Sequence, residues 1–363
     1  MSIDDLRRRV DAIDERLLEL LEERAGVARE IGRQKRDAAQ SMHDPEREQR
    51  IFVRLEALAD ARPEAAFPKS SIRAVFREIL SACLSLEAPQ SVAFLGPPGT
   101  FTHMAARSAF GLAVRYVEAA SIAGVFDAVA RGNVSYGVVP IENSTEGGVT
   151  FTLDSLLETD GVQIRSEVVL DVAQCLVARH EELARIERVY SHPQALAQCR
   201  VWLAKNLPSA QLIVSTSTSA AARDAASDDA AAAVASRLAA EINGLLVMRE
   251  GIQDRAQNAT RFVVLAVSDA PPTGSDKTSL VFSTPHERGA LKRVLQIFDE
   301  ELLNLSRIES RPSPNKIWEY VFFTDVEGHR LDENVARALE RLKKQCAMVK
   351  ILGSYPRASV PVS

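Results

Sequence analysis

The sequence predicts a multidomain protein in which an all-helical region precedes an α/β region and a small ferredoxin-like βαββαβ unit. Residues 1–88 show no strand pattern and few turn-forming residues. From Ser91 onward, short Val/Ile/Leu/Phe runs alternate with helical stretches, which is typical of an α/β domain. The stretch 268–277, rich in Pro, Gly, Ser and Asp, is typical of a linker. We therefore expect three domains, over residues 1–88, 91–267 and 278–355.

Composition and charge exclude several classes of partner. The chain has 363 residues, of which 46% are hydrophobic and 26% charged, and its formal net charge of −5 favours neither nucleic acid nor an anionic membrane. The charged N-terminal residues contain no apolar signal region, and no apolar run reaches the ~20 residues of a membrane span. We expect a cytoplasmic protein without a metal site, since its cysteines fit no zinc or disulfide pattern: Cys83, Cys175, Cys199 and Cys346.

A first helix is predicted over residues 3–36, because apolar residues recur there every three or four positions. These residues are Leu6, Val10, Ile13, Leu17, Leu20, Val27 and Ile31. Such a helix would be ~50 Å long, whereas a compact domain of this region's size is only about 30 Å across. One chain cannot cover the helix, so we expect it to pair with a second copy.

Charged residues interrupt the apolar seams of the three helices predicted for the N-terminal region. Arg24 and Lys35 lie on the first seam, and Glu87 ends the third. Glu48 begins the seam of a second helix, for which Asp44 is a good N-cap. Burying an unpaired ion costs several kcal/mol. These residues therefore either pair with one another, line a polar pocket for a charged ligand, or reach past the seam to water.

The N-terminal region contains several residues in a distinctive order: Leu6-Arg7, Asp14-Glu15, Leu20-Leu21, Arg24, Lys35 and then Asp44-Pro45-Glu46-Arg47-Glu48. This order resembles the all-helical chorismate mutase family, in which two chains interlock into a dimer and each site takes one arginine from the partner. The resemblance implies that Arg7 is the arginine given to the partner. It implies that the site itself contains Arg24, Lys35, Asp44, Arg47, Glu48, Cys83 and Glu87.

The rearrangement of chorismate to prephenate suits a pocket of this kind. It needs no nucleophile and no cofactor, only cations that hold the folded dianion and stabilise negative charge on the ether oxygen. The resemblance assigns these tasks to Arg24 and Lys35. Glu87 departs from family members that carry a neutral amide, because a carboxyl group can donate a hydrogen bond only when it is protonated. We therefore predict that mutase activity falls as Glu87 ionises.

In the α/β region, apolar strands run directly into small polar residues. Ligands of open α/β sheets bind beyond the carboxyl ends of strands, where helix N-termini attract anions. Each motif alone could be only a turn or a helix cap. The motifs are Gly96-Pro97-Pro98-Gly99-Thr100-Phe101-Thr102-His103, Pro140-Ile141-Glu142-Asn143-Ser144, Ser191-His192-Pro193-Gln194, Ser217-Thr218-Ser219 and Thr260-Arg261-Phe262. One further segment, the alanine-rich stretch 220–240, predicts helix from propensity alone.

Together and in this order, these motifs resemble the prephenate dehydratase family across residues 91–267. The resemblance implies two α/β lobes, as in a periplasmic binding protein, with the site in the cleft. One lobe would hold residues 91 to about 168 and about 248 to 267. The remaining expected substrate-binding residues are Thr100, Glu142, Asn143, Ser144, Ser191, His192, Thr218, Ser219 and Phe262.

Dehydration and decarboxylation of prephenate yield an aromatic ring, so the enzyme need only bind two carboxylates and help hydroxide leave. In the family, Thr260 is the proposed proton donor. A threonine hydroxyl is a feeble acid, so our hypothesis is that Thr260 donates a hydrogen bond to the leaving oxygen while Arg261 supplies nearby positive charge. Glu142 or His192 is the candidate titrating acid behind it.

The last region predicts the order βαββαβ, with strands over 278–282, 305–309, 318–324 and 348–352 and helices over 289–301 and 332–345. This order resembles the ACT regulatory domain. Two segments match motifs that bind phenylalanine between two such domains: Gly289-Ala290-Leu291 and Glu309-Ser310-Arg311-Pro312. A purely structural dimerisation module is the alternative.

The resemblances imply a dimeric bifunctional enzyme of phenylalanine biosynthesis. It would convert chorismate to prephenate and prephenate to phenylpyruvate without a cofactor, under feedback regulation by phenylalanine. The alternative is a cytoplasmic amino-acid-sensing binding protein whose helical region is only a dimerisation arm. Whether the second site also accepts arogenate stays open.

Overall fold

The computed structural model describes residues 2–37, 45–62, 64, 66–255, 258–312 and 319–358. These residues fall into two compact units. One lies within Met1–Ser91 and Phe110–Arg115, and the other within Val92–Ala109 and Tyr116–Ser363. None of the helices in these ranges is long and apolar enough to cross a lipid bilayer.

The first unit is helical, with three helices: α1 (Ile3–Asp37), α2 (Pro45–Asp60) and α3 (Lys69–Glu87). The predicted first helix is confirmed, and its 35 residues span ~52 Å at the helical rise. Helix α2 begins with Pro45, which suits the first helical position because proline lacks the N–H that would be unsatisfied there. Its predicted N-cap, Asp44, lies outside the described residues.

The apolar seam of α1 is only partly covered within one chain. Ala28 and Gly32 are buried, and α1 packs on α3 near them. Toward the N-terminus the seam residues lie 47–59% exposed: Leu6, Val10, Ile13, Leu17 and Leu20. Large apolar side chains in such a continuous row are unusual on a protein surface that faces only water.

The α/β region contains eleven strands in its described residues. They are β1 (Ser91–Leu95), β2 (Arg115–Ala119), β3 (Tyr136–Asn143), β4 (Gly147–Gly148), β5 (Gln163–Asp171), β6 (Cys175–Ala178), β7 (Arg188–Ser191), β8 (Gln211–Val214), β9 (Ala231–Ala235), β10 (Leu246–Arg249) and β11 (Ala259–Ala266). The helices are α4 (Phe101–Phe110), α5 (Ile122–Ala130), α6 (Thr150–Glu158), α7 (Pro193–Gln198), α8 (Arg200–Asn206), α9 (Thr218–Ala225) and α10 (Arg237–Asn243), with a short 3-10 helix at Leu183–Arg185.

These strands form two sheets, as the two-lobed prediction requires. The first has the order β2-β1-β3-β11-β5, with β4 paired to β3, and the second has the order β10-β6-β9-β7-β8. The chain therefore leaves the first sheet after β5 and returns to it only at β11. The predicted return near residue 248 is wrong, because β10 pairs with β6 in the second sheet.

The alanine-rich stretch corrects a second prediction. Residues 220–240 do not form one helix, since Ala231–Ala235 is strand β9, which lies between β6 and β7. All five residues of β9 are completely buried. Small side chains let the flanking helices α9 and α10 pack closely on the second sheet, so burial in the sheet outweighs the helix propensity of alanine.

The C-terminal elements are β12 (Asp276–Ser283), α11 (Ala290–Glu300), β13 (Leu305–Pro312), β14 (Tyr320–Glu327), α12 (Glu333–Gln345) and β15 (Met348–Pro356). Their antiparallel sheet has the order β13-β14-β12-β15, so the ferredoxin-like prediction is confirmed. One sheet face packs on α11 and α12, with Phe282, Phe298 and Leu342 fully buried between them.

The βαββαβ unit packs tightly on the first α/β sheet. Gly353 of β15 has φ +149° and approaches the backbone of Ile164 in β5 so closely that a Cβ atom there would collide with it. The predicted linker contributes to this interface rather than hanging free. Asp269 binds Arg330 at 2.9 Å and accepts a hydrogen bond from the Ser354 N–H at 3.1 Å, and β12 already begins at Asp276.

Candidate active sites

A cavity of about 390 Å³ lies between the three helices of the first unit. It brings together six of the residues expected in the mutase site. These are Arg24, Lys35, Arg47, Glu48, Cys83 and Glu87. Apolar side chains, among them Val27, Ile31 and Leu80, form much of the remaining wall. The cavity therefore combines an apolar wall with several charged side chains, which suits a small anion that contains a carbon ring.

Ion pairs hold the charged groups of this cavity in place. Lys35 Nζ lies 3.0 Å from Glu87 Oε2, and Arg77 Nη1 lies 2.5 Å from Glu48 Oε2. The Arg77 guanidinium also lies over the Phe52 ring, 4.8 Å from its centroid. All four charged side chains are 12–23% exposed. A bound anion would thus meet Lys35 at a position already set by its neighbour Glu87.

The close packing of α1 on α3 places Glu87 at the cavity. Gly32 lacks a side chain at the crossing point, where a Cβ would come within 2.8 Å of the Glu87 Cα atom. The same approach brings Lys35, nearly one turn further along α1, to the Glu87 carboxylate. The absence of a side chain at residue 32 therefore determines how deeply α3 can seat.

The two remaining expected mutase residues are Asp44 and Arg7. Asp44 lies outside the described residues. Arg7 is not among the lining residues, its side chain is 76% exposed, and it pairs with Asp4 at 3.4 Å. Conversely, the sequence reasoning missed Arg54, which lines the cavity. Its spacing of seven residues from Arg47 places both on one face of α2 and could have identified it.

In the α/β region, Asn143 and Thr260 face each other across β3 and β11. Asn143 Nδ2 lies 2.8 Å from Thr260 Oγ1 and 3.0 Å from Asn258 Oδ1. Asn143 Oδ1 accepts the Thr145 backbone N–H at 2.9 Å, which identifies that atom as the amide oxygen. The amide therefore donates to Thr260, and the hydroxyl hydrogen of Thr260 remains available for donation.

This pair continues into Asn258 and Gln198, which were not among the expected site residues. Asn258 Nδ2 donates to Gln198 Oε1 at 3.3 Å, and the Gln198 amide reaches Glu146 Oε1 at 3.5 Å. A cavity of about 340 Å³ adjoins them. Its lining residues are Thr145, Glu146, Gln194, Ala197, Gln198, Gln253, Asp254, Arg255 and Asn258. The one available signal was that Asn258 stands two residues before Thr260, and alternate strand residues share a face.

The glycine loop before α4 is held from two sides. His103 Nδ1 accepts the Gly99 N–H at 3.1 Å, and its ring stacks on Phe94. Burial, with a smaller contribution from Arg107, lowers the pKa of His103 to about 4, so the ring is neutral and can accept. From the second sheet's side, Ser236 Oγ donates to the Gly99 carbonyl at 2.5 Å.

The other expected dehydratase residues divide between cleft and interior. Thr100 caps its own loop through the Leu95 carbonyl at 3.1 Å, and Ser219 donates to the Pro98 carbonyl. Thr218 begins α9, His192 caps α7, and Ser144 bonds the Ala259 N–H at 3.0 Å. Two residues are turned inward: Ser191, whose hydroxyl donates to the Val234 carbonyl at 2.6 Å, and Phe262, which is 2% exposed.

Arg261 is surrounded by acidic groups. Its guanidinium lies 2.6 Å from both the Glu167 and Asp325 carboxylates and 3.5 Å from Glu142. Asp325 belongs to β14 of the βαββαβ unit. The expectation that Arg261 supplies positive charge to the leaving group therefore needs correction, because this charge is balanced by carboxylates in its immediate surroundings.

The two expected phenylalanine motifs are neighbours through β14, since Ser310 and Pro312 of the second pair with Phe322 and Tyr320 beside the first. Gly289, Ala290 and Leu291 line a cavity of about 250 Å³ beside Tyr320 and Phe322. The second motif (Glu309, Ser310, Arg311 and Pro312) lies in the edge strand β13. There Arg311 reaches Asp154 of α6 at 3.3 Å, and Glu309 binds Arg307 at 2.5 Å.

Comparison with known proteins reveals three family matches along the chain. The chorismate mutase type II profile matches residues 6–88, the prephenate dehydratase profile residues 92–270, and the ACT domain profile residues 278–344. A bifunctional chorismate mutase/prephenate dehydratase of Aquifex aeolicus is 46% identical over 98% of this chain and 98% of its own length. The Pseudomonas aeruginosa protein of the same description is 42% identical, over 97% of each chain.

A solved structure resembles the second unit. The prephenate dehydratase from Arthrobacter aurescens in complex with L-Phe is 38% identical, with a TM-score of 0.69. The match covers 75% of this chain and 92% of that one.

Proposed function

Because the chain belongs to the bifunctional chorismate mutase/prephenate dehydratase family, we propose specific roles for the residues of its two active sites. The chain is an isomerase and a lyase, and it carries an ACT domain. The alternative of a pure amino-acid-binding protein loses its support, since both enzymatic regions match over their full extent.

For the mutase, the helical cavity binds chorismate. Arg24, Lys35 and Arg47 hold the two carboxylates, while the apolar wall fits the ring. Lys35 lies beside Glu87, so the two together face the ether oxygen whose bond breaks. The fixed positive charge of Lys35 stabilises the polar transition state without having to reorganise.

The mutase site is completed by a second copy of the chain. The exposed seam of α1, from Leu6 to Leu20, supports pairing, because one chain leaves it open to water. The position of Arg7 supports the same conclusion. It lies on α1 away from its own chain's cavity, where it can reach the cavity of a partner. We therefore propose an interlocked homodimer.

For the dehydratase, the Asn143–Thr260 pair carries the assignment. Because Asn143 donates to Thr260 Oγ1, the threonine hydrogen can point at the departing hydroxyl of prephenate. Donation from Asn143 also makes that hydrogen a better donor, since linked hydrogen bonds polarise one another. Loss of the hydroxyl, loss of CO2 and aromatisation of the ring follow together.

Glu142 is a weaker candidate for the titrating acid than His192. Glu142 lies on the Arg261 side of β3 and pairs there at 3.5 Å, away from the Thr260 hydroxyl. His192 lies at the start of α7, in the segment that also supplies Gln194 and Gln198 to the cavity beside Asn258. We assign no substrate contact to Arg261, Ser191 or Phe262.

Thr260→Val in the full chain tests the dehydratase assignment. The variant keeps the shape of threonine but removes the hydroxyl, so we expect formation of phenylpyruvate from prephenate to stop. Consumption of chorismate, followed by its ultraviolet absorbance, should continue at the wild-type rate. Wild-type dehydratase turnover by Thr260→Val would overturn the role of this hydroxyl.

Phenylalanine is the proposed effector of the ACT domain. The Arthrobacter dehydratase was solved with L-Phe, and the cavity beside Gly289, Ala290 and Leu291 has room for a small ligand. The second motif would come from the β13 of a partner chain. Inhibition follows if phenylalanine binds the less active state more tightly. A cytoplasmic location, like that expected from the sequence, remains part of this proposal.

A further inference from the structure

Thr260 and Arg261 are consecutive residues of β11 and therefore point to opposite faces of the first sheet. Their cross-strand partners in β3 do the same. Asn143 meets Thr260 on the cleft face, while Glu142 lies with Arg261 on the other face. The pairing of β11 with β3 shifts register immediately after Arg261, before Phe262. Such irregularities change the direction in which strand side chains point. The Asn143–Thr260 pair therefore has the charged pair Glu142–Arg261 directly behind it, on the opposite face of the sheet.

The face behind the catalytic pair is covered by the βαββαβ unit. Arg261 donates to Asp325 Oδ2 at 2.6 Å and to the Tyr355 hydroxyl at 2.8 Å, while its Nε atom donates to Glu167 of β5 at 2.6 Å. Lys277 binds the same Glu167 carboxylate at 3.1 Å. Tyr355 is fully buried, and Asp325 is 3% exposed.

The hydrogen bonds of this cluster have only one consistent direction. The Asp325 carboxylate can only accept, so the Ser279 hydroxyl, 2.5 Å away, donates to it. Tyr355 lies 2.5 Å from the same Ser279 oxygen and must donate to it, which leaves the Tyr355 oxygen to accept from Arg261. Burial raises the pKa of Tyr355, which keeps its proton in place. Three donors of Arg261 are therefore directed to three acceptors on two different sheets.

We propose that Arg261 is a positioning residue, which uses its anchors Asp325 and Tyr355 in the βαββαβ unit to hold β11 where Thr260 meets Asn143. The inference rests on the proposed dehydratase function and assigns part of its active-site geometry to a unit that touches no substrate. Because Arg261 and Thr260 share one peptide link, displacement of the guanidinium displaces the hydroxyl.

The geometry of the guanidinium, rather than its charge, is what the cluster uses. Arginine presents several donors in a rigid planar fork, whereas lysine is a single point charge. Lysine at position 261 could neutralise Asp325 or Glu167, but it could not bridge both of them and Tyr355 at once. A role for Arg261 as a source of positive charge near the leaving group would, in contrast, be preserved by lysine.

The test compares full-length variants. In Asp325→Asn, the anchor of Arg261 becomes neutral with almost no change of shape, and we expect kcat of the dehydratase to fall at least about tenfold while KM changes little. The control is Glu301→Gln. Glu301 is also a little-exposed carboxylate of the βαββαβ unit, but it pairs with Arg337 and Arg341 of α12, at 2.9 and 3.0 Å, in the helical layer of that unit. Its dehydratase kcat should stay within about twofold of wild type.

Three further variants keep the proposal testable. Arg261→Lys should lose kcat as severely as Arg261→Gln. Tyr355→Phe, which removes one hydroxyl, should lower kcat about threefold even if Asp325→Asn does not fold. Mutase activity measured on each sample reports whether the helical unit of the variant is folded.

Three outcomes would overturn the proposal: wild-type kcat in both Asp325→Asn and Tyr355→Phe, an equal loss in Glu301→Gln, or full activity in Arg261→Lys. Failure of the proposed function itself would look different, because wild-type protein would then form no phenylpyruvate at all.

Discussion

Glu87 sits 3.0 Å from Lys35 at the edge of the helical cavity, where its protonation decides what it can do. A protonated carboxyl group can donate to the ether oxygen of chorismate, whereas a carboxylate can only repel the charge that grows there. Glu87→Gln should therefore be active and should differ from the wild type in the pH profile of mutase kcat/KM, because an amide donates without needing to bind a proton.

The pH profiles of both proteins provide the measurement, with chorismate consumption as the readout. A pH profile of Glu87→Gln that superimposes on that of the wild type would remove Glu87 from the reaction. Glu56→Gln is the matched control. It removes a carboxylate of α2 that pairs with Arg73 and is not among the residues lining the cavity.

His103 makes the stability of the second unit depend on pH. Burial lowers its pKa from 6.5 to about 4, so the folded form binds a proton less readily than the unfolded chain. The stabilisation is complete above pH 6.5 and is lost as pH falls from 6.5 towards 4, by up to about 3 kcal/mol. Urea unfolding at several pH values measures it. His103→Gln keeps an acceptor for Gly99 and should remove this part of the pH dependence, and an unchanged slope would contradict the assignment.

Which residues share a site could be predicted only in part from the sequence. Thr260 and its neighbours were identified through motifs, but the side-chain direction of Arg261 depends on partners far along the chain. Asp325 and Tyr355 stand 64 and 94 residues away from it. No local pattern marks such a pair, because the contact exists only after two separate sheets have packed. Gln198 escaped notice for the same reason.

Among the elements, α1 carries a pair of glycines with opposite expected effects. Gly26 has nothing within 4 Å of the place where a Cβ would stand, so Gly26→Ala should stabilise the helix by about 0.5–1 kcal/mol. Gly32→Ala would place its methyl group against the Glu87 backbone and should destabilise the unit by about 1–3 kcal/mol.

Thermal unfolding and mutase assays distinguish the two substitutions. Gly32→Ala should also lower mutase activity, because α3 must move and Glu87 moves with it away from Lys35. Equal stability and equal activity in Gly32→Ala and Gly26→Ala would mean that α1 and α3 can move apart at residue 32 without a loss of stability or of mutase activity.

Elements with strong periodicity were predictable, and those that depend on tertiary packing were not. The spacing of apolar residues alone predicts helix α1 and the order of the βαββαβ unit. The structure confirms both predictions. Strand β9 was misread as helix because four of its five residues are alanines, which carry little strand signal of their own. They form a strand only because neighbours β6 and β7 supply hydrogen bonds on both sides.

At the scale of the whole molecule, the proposed dimer depends on the open seam of α1. Leu17 is 52% exposed in the single chain, and burial of a charge at this point would oppose pairing. Leu17→Asp should therefore shift the protein to monomers in light scattering and abolish mutase activity, since each cavity would lose the partner's Arg7. Val201→Asp, at a 62% exposed position of α8, is the control and should remain dimeric. A Leu17→Asp protein that stays dimeric and active would exclude α1 as the interface.

The close approach of Gly353 to Ile164 has a consequence for how this protein can change over time. The two backbones meet there with no room for a side chain. The ACT domain therefore packs directly on the first α/β sheet and is not joined to it only by a flexible linker. A premature stop codon ahead of β12 would leave Glu167 and Arg261 facing water. Mutants that escape feedback control should therefore arise by single amino-acid replacements, since deletion of the sensor would cost the organism the reaction that the sensor controls.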